Sequence, residues 1–581
     1  MSDLPWLTIL GLVPLVGASV IAALPRGRDL LAKQVALATS LVVLALTIAI
    51  SAAFAPTGDR FQFTEAHDWI PAFGVQYALG VDGIALVLIA LVAVLVPVVV
   101  LAGWHEADPV PEPAGIVAGA ATRTTTSGPI RSVSPDTGRA AETATHSGGG
   151  TAVLDPPVAA PPAGTEPPAG DPPRKRSVPT FFALLLVLET MMIGVFAATD
   201  VFLFYVFFEA MLIPMYFIIG SYGGPRRSYA AVKFLLFSLA GGLLMLAAVI
   251  GLYVVSAGND PDGQGTFAFE QLVGLQMSTG VEIALFSGFF IAFAIKAPLF
   301  PFHTWLPDAG AEAPVGGAVL LVGILDKVGT FGFLRYCLPL FPEASRILGP
   351  YIVVLCVIGI LYGALLAMGQ KDLKRLVSYT SIAHFGFIGL GIFAFTSQAQ
   401  TGAVLYMVNH GLSTGALFLV VGFLIARGRS RLTGDYSGVA AVAPLLAGTF
   451  LLAGLSSLAL PGLSTFISEF LVLLGTYARY PVAAVLAAIG VILAALYILL
   501  MYQRTMQGPL RLPAGISSIR DLHLREVLAV APLLALMIFL GFYPKPLTDV
   551  ITPAVNATMQ DAGAADPPPT QGRGSAAGPS R

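Results

Sequence analysis

Residues 82–104 read DGIALVLIALVAVLVPVVVLAGW: one acid at the first position, then only apolar side chains, glycines and a proline up to the closing tryptophan. A helix needs roughly 18 or more apolar residues to cross a ~30 Å hydrocarbon core. The run does not alternate with period two, so it is not a barrel strand. In lipid only helices and closed barrels satisfy their own backbone. The stretch therefore predicts a membrane-spanning helix, and comparable runs follow one another from Pro5 to Leu547. They place helices at 5–24, 33–55, 82–104, 179–197, 199–220, 229–256, 280–301, 315–340, 349–368, 375–396, 400–426, 437–476, 481–505 and 525–547. The expected fold is an all-α polytopic membrane protein of about fourteen spans.

Composition agrees. Of 581 residues, 56% are hydrophobic and only 11% charged, against about 25% charged in a soluble domain. A net charge of −2 argues against a nucleic-acid partner. Cys337 and Cys356 each sit in an apolar run, and no Cys/His metal spacing, G-x-G-x-x-G or Walker motif opens a helix. Nucleotide, flavin or cluster chemistry is therefore expected on other chains. The N-terminus lacks the basic start of a cleavable signal, so Leu7–Leu24 is read as a retained first helix.

Alternate loops are rich in Lys and Arg: Arg26, Arg28 and Lys33; Arg226 and Arg227; Lys371, Lys374 and Arg375; Arg427, Arg429 and Arg431; Arg504, Arg511, Arg520 and Arg525. The intervening short loops hold little more than Arg60, Arg346 and Arg479. The basic set is expected in the cytoplasm, which puts both termini outside. Residues 105–178 are rich in Pro, Gly, Ala, Ser and Thr. Such a segment buries too little to offset its chain entropy and is expected as a disordered cytoplasmic loop. The same expectation covers the tail 552–581. The organisation is then helices 1–3 in 1–104, a first five-helix unit in 179–340, a second in 349–505, and a last helix at 525–547.

Ionisable residues inside the spans are costly and usually mark ion pathways. This chain has Glu189, Glu209, Lys233, Lys296, Lys327, His384, His410 and Glu469. Two residues equidistant from the turn joining antiparallel helices lie at one depth. Glu209 and Lys233 are centred on Ser221, Glu189 and Glu209 on Thr199, Lys296 and Lys327 on Ala311–Glu312, and His384 and His410 on Ser397. That places each about 15–23 Å from its turn, near the bilayer centre. A single pair would suffice as structural glue between helices. A row of Glu, Lys and His at one level is what a lateral proton relay requires, because each member must sense its neighbour's charge. Pro298 and Pro301 after Lys296, and Pro461 in Leu460-Pro461-Gly462, are expected to break helices 7 and 12 beside these residues. Broken helices of this kind line transporter sites.

At these residues the sequence resembles a known family. Phe207-Phe208-Glu209-Ala210-Met211-Leu212-Ile213-Pro214-Met215 resembles the helix-5 glutamate motif of the antiporter-like subunits of respiratory complex I. Lys296-Ala297-Pro298, Phe302-His303-Thr304-Trp305-Leu306-Pro307-Asp308-Ala309 and Glu312-Ala313-Pro314-Val315 are similar to their helix 7–8 signature. Leu79-Gly80-Val81-Asp82-Gly83-Ile84, Asn409-His410-Gly411 and Gly462 to Phe470 match their third, eleventh and twelfth helices. Relatives include Mrp-type sodium/proton antiporter subunits and hydrogenase membrane subunits. Glu469, where several branches carry lysine, and an end soon after helix 14 favour one complex I branch; the 105–178 insertion departs from the family pattern.

The resemblance implies two inverted five-helix repeats with broken helices 7 and 12. It implies a bacterial plasma-membrane pump subunit with no redox centre of its own, beside other membrane subunits. NADH, FMN, iron–sulfur clusters and quinone would belong to partner subunits. Glu209 and Lys296 would be the coupling pair, and Lys327, His384 and His410 the central relay. Glu469 would be the outlet, with Lys233 and Glu189 as tuning or connecting groups. A sodium/proton antiporter subunit and a non-conducting membrane scaffold are the competing readings.

Overall fold

The computed structural model describes residues 4–25, 27–108 and 177–568. Most of the expected disordered loop, and residues 569–581 of the expected tail, lie outside them. Thirteen described helices are long and apolar enough to cross a membrane: α1 (Trp6–Ala23), α2 (Asp29–Ala53), α3 (Gly83–Ala102), α4 (Val178–Ala197), α5 (Val201–Tyr222), α6 (Arg227–Asn259), α7a (Thr279–Lys296), α8 (Val315–Leu340), α9 (Pro342–Met368), α10 (Leu373–Phe393), α11 (Ser397–Gly428), α13 (Pro481–Met506) and α14 (Leu524–Phe542). The twelfth span is made of two shorter helices, α12a (Pro444–Ser457) and α12b (Ser464–Arg479).

Helix starts follow local chemistry. Asp82 caps α3 by accepting from the Ala85 N–H at 2.8 Å, and Asp200 caps α5 through Leu203 at 2.8 Å. α8 is wholly buried and α10 and α11 nearly so, whereas α2 and α13 turn most of their apolar surface outward. A polar surface would be needed outside in water; an apolar one suits lipid. Three of the eight ionisable residues predicted from sequence, Lys327, His384 and His410, are carried by these innermost helices.

Both predicted breaks are present, with one boundary moved. The seventh helix, expected to reach 301, stops at Lys296, and a short helix α7b (Leu306–Glu312) resumes it. Pro298 and Pro301 lack N–H groups and clash with a preceding turn, so the helix cannot continue through them. The Trp305 indole N–H donates to the Ile295 carbonyl at 2.8 Å, satisfying an acceptor that the break releases. In the twelfth span the break falls at Leu458–Leu463, where Ala459 and Gly462 take positive φ of 59° and 93°. Thr465 Oγ1 closes it by donating to the Ser456 carbonyl.

The link before α3, on which the sequence reading is silent, is an antiparallel hairpin, β1 (Gln62–Ile70) and β2 (Val75–Val81), turned at Gly74 with φ 63°. Two expectations need correction. The tail is not disordered from 552: Tyr543 and Pro544 end α14, and α15 (Lys545–Asp561) follows. α15 buries Ile551, Ala554, Val555, Thr558 and Met559, the i, i+3, i+4 stripe of an amphipathic helix. The start of the 105–178 segment is ordered as well. Glu106 accepts from the Val315 and Gly316 N–H groups at the start of α8, and Asp108 pairs with Lys33 at 2.5 Å.

Candidate functional site

Glu209 leaves α5 toward α6, where Gly242 makes room for it. An ideal Cβ on Gly242 would fall 1.7 Å from Glu209 Oε1. Lys296 ends α7a, is 1% exposed, and holds its Nζ 4.6 Å from the centre of the Phe208 ring. No ion pair joins Glu209 and Lys296, the expected coupling pair, among the described residues; the two lie within electrostatic reach of each other. Lys296 Nζ and Glu209 Oε1 have no hydrogen-bond partner among the described residues.

The centre is tighter. Lys327 lies on α8 between two π-helical stretches, Leu321–Leu325 and Phe333–Cys337. Such insertions are frequent at functional sites because they re-aim side chains. Its Nζ donates to the Val322 carbonyl at 2.6 Å and lies 2.6 Å from His410 Nδ1. The His410 and His384 rings meet edge-on at 5.1 Å, and His384 Nε2 is 3.4 Å from the Tyr497 hydroxyl. Tyr406 packs 5.8 Å from the His384 ring, and both tyrosines lie within electrostatic reach of Glu469 on α12b. Lys327, His410, His384 and Glu469 thus form one line closed by two tyrosines. Asn409, next to His410, donates to the Ser464 carbonyl at 2.7 Å and pins α11 to the start of α12b.

Two predicted members stand apart. Lys233 is not level with Glu209: Glu209 faces Gly242, nine residues further along α6, which is about 13 Å of helix. Lys233 instead pairs with Asp308 at 2.7 Å, and Asp308 with Arg375 at 2.5 Å. Glu189 is fully buried on α4, and neither carboxylate oxygen has a hydrogen-bond partner among the described residues.

Sequence reasoning missed several groups. Asp326 precedes Lys327 in an apolar run and is fully buried, so the rule that singled out Lys327 applied equally to it. Tyr406 stands one turn before His410 on α11, a spacing that could have drawn it in. The acids of the helix 7–8 signature hold ion pairs rather than join the line. Asp308 bridges Lys233 and Arg375, while Glu312 is 3.2 Å from Arg431 and accepts from the Arg226 N–H. Asp82 pairs with the buried Arg335 at 2.8 Å, tying α3 to α8. Among the described residues no cluster of three or more His, Cys, Asp or Glu could hold a metal ion, and both cysteines are buried and free.

A family model described as the NADH:quinone oxidoreductase/Mrp antiporter transmembrane region matches residues 198–496. NADH-quinone oxidoreductase subunit M of Mycobacterium tuberculosis (strain ATCC 25618 / H37Rv) is 49% identical over 577 residues, covering 98% of this chain and 97% of the relative. Subunit M of Rhodobacter capsulatus is 35% identical, covering 96% of each. A chain of respiratory complex I from Thermus thermophilus with bound NADH superposes with a TM-score of 0.77 at 29% identity, covering 96% of this chain and 100% of that one. A chain of the Mrp complex from Dietzia sp. DQ12-45-1b, at 19% identity and a TM-score of 0.75, shares the fold over 97% of this chain and 100% of its own.

Proposed function

This chain belongs to the NADH:quinone oxidoreductase/Mrp antiporter family, in its NADH-quinone oxidoreductase subunit M branch, and on that premise we propose how its buried charges move protons. It is a proton-translocating membrane subunit of the oxidoreductase. The contact of 2.6 Å between Lys327 and His410 carries the reading. An ammonium touching a neutral imidazole in a dry interior can pass its proton and leave an amine beside an imidazolium. The direction depends on the charge next door, since desolvation penalises either charged form.

In this scheme Glu209 and Lys296 are the input. While Glu209 is ionised it holds a charge on Lys296 across Phe208; protonation of Glu209 releases that hold. The proton on the Lys327 side then moves through His410 and His384, with Tyr497 and Tyr406 able to hand it toward Glu469, the outlet. Lys233, clamped to Asp308 and Arg375, tunes the approach to the α7 break from the basic face, and Glu189 connects at the other side. We read residues 179–340 and 349–505 as the two inverted repeats, each with one broken helix.

The driving reaction belongs to other subunits, which would carry NADH, FMN, iron–sulfur clusters and quinone; this chain would sit among neighbouring antiporter-like subunits in a bacterial plasma membrane. Both termini would face outward. The test is Lys327→Ala in the assembled oxidoreductase in sealed vesicles. Proton pumping is expected to be lost while the complex still assembles. Wild-type pumping in that variant would overturn the relay.

A further inference from the structure

The geometry points to Asp326 as the proton carrier between Lys296 and Lys327, a deepening of the relay that rests on the reading above. That reading leaves one gap. Lys327 bonds to His410, but nothing in it links Lys327 back to Lys296. Asp326 lies on α8, fully buried, and neither of its carboxylate oxygens has a hydrogen-bond partner among the described residues.

Neighbouring residues on a helix do not face one another. Lys327 is turned to His410 and to the Phe385 ring, 4.9 Å away, so Asp326 looks elsewhere. It shares its face with Gly329 and Thr330, three and four residues on. Gly329 is pressed on the end of α7a: an ideal Cβ there would fall 2.4 Å from the Phe293 carbonyl oxygen and 2.6 Å from the Ala297 nitrogen. Thr330 Oγ1 bonds to Met407 Sδ on α11 at 2.7 Å. The stretch of α8 that begins at Asp326 is therefore packed between the helix that ends in Lys296 and the helix that carries His410. Both lysines act on Asp326 electrostatically. A structural acid would be expected to hold a direct bond to one of them, because buried polar groups are ordinarily satisfied. This one is bonded to neither, which suits a group that serves each in turn.

The transfer balances in two steps. The Lys296 ammonium gives a proton to the Asp326 carboxylate, leaving a neutral amine and a carboxylic acid. The acid then gives that proton to a neutral Lys327 amine, restoring the carboxylate and forming an ammonium next to His410. No electron moves and no co-reactant is needed.

The experiment uses the whole oxidoreductase in sealed vesicles, with Asp326→Asn, Asp326→Glu, Lys327→Ala and unaltered protein measured side by side. Asp326→Asn is expected to assemble and to pump about a hundredfold more slowly, the low end of what a positioned acid–base group contributes. Asp326→Glu is expected to regain most of the rate. Infrared difference spectra between resting and energised complex should contain a protonated-carboxyl band that Asp326→Asn abolishes, which a merely structural role would not produce. Wild-type pumping and an unchanged spectrum in Asp326→Asn, with Lys327→Ala inactive, would overturn the role of Asp326 and leave the relay standing. Wild-type pumping in Lys327→Ala would remove the relay and this inference with it. Should Asp326→Asn fail to assemble, the Asp326→Glu complex decides: absence of the carboxyl band there overturns the proposal, and a shifted band supports it.

Discussion

At the scale of single residues, buried charge in this chain divides into two kinds. Arg335 and Asp82 form an ion pair at 2.8 Å, and Asp82 also caps α3. Asp308 and Glu312 are likewise held by basic partners. Lys296, Glu189, Asp326 and one oxygen of Glu209 have no such partner among the described residues. The first kind fixes helices; the second is the kind that changes charge in the proposed relay. Breaking a buried pair by removing one partner costs about 3–5 kcal/mol, because the other charge is left stranded. Arg335→Ala should therefore lower the yield of assembled complex, and the complex that does form should pump normally per electron. A full yield of Arg335→Ala complex would count against the pair as a structural clamp.

The same division explains what the sequence could and could not reveal about the site. Charge inside an apolar run is visible in the letters, and it singles out Lys296, Lys327, His384, His410 and Glu469 as candidates. Partnership is a property of three-dimensional packing. Equal spacing about Ser221 puts Lys233 level with Glu209, but the chain turns at Gly223–Pro225 and Gly242 is the true opposite. Tyr406 and Tyr497 carry no formal charge, so a search for charges passes over them.

At the scale of elements, the long apolar runs and the prolines were readable because lipid imposes a length and Pro removes a donor. The hairpin and α15 are less legible, since neither is long and apolar enough to span the membrane, although both have their own periodicity. α15 and the residues after it fasten the ends of several helices on the poorly charged face. Asp561 pairs with Arg60 at 2.5 Å, Asp566 accepts from the Ser397 N–H at 2.8 Å at the start of α11, and the Ala565 carbonyl accepts from Arg479 at 2.7 Å. A partly exposed ion pair is worth roughly 0.2–1 kcal/mol, whereas each large apolar side chain buried is worth about 1.5–3 kcal/mol. Asp561→Ala should leave complex yield nearly unchanged in a detergent thermal-stability assay. Replacing Ile551, Val555 and Met559 together with Ser should lower the midpoint clearly. Equal effects would show that the ion pair, and not the apolar stripe, holds α15.

At the scale of the molecule, we propose that the alternation of basic loops sets the orientation, with the basic set in the cytoplasm. Gln398, exposed at the start of α11, belongs to the poorly charged face. A cysteine introduced there should react with an impermeant thiol reagent added outside intact cells and not with reagent confined inside. Labelling from the cytoplasmic side would reverse the orientation. The line from Lys327 through His410 and His384 runs through the innermost helices α8, α10 and α11, where burial makes a neighbour's charge felt most strongly. A scaffold has no need of that arrangement, and a relay depends on it.

The central claim is that protons move because Glu209 can change charge beside Lys296. Its most direct test is the number of protons pumped per electron by an assembled Glu209→Gln complex in sealed vesicles, with Glu209→Asp as the conservative control. Pumping is predicted to be lost in Glu209→Gln with assembly intact, and largely kept in Glu209→Asp. A Glu209→Gln complex that pumps the full wild-type number of protons per electron would contradict it.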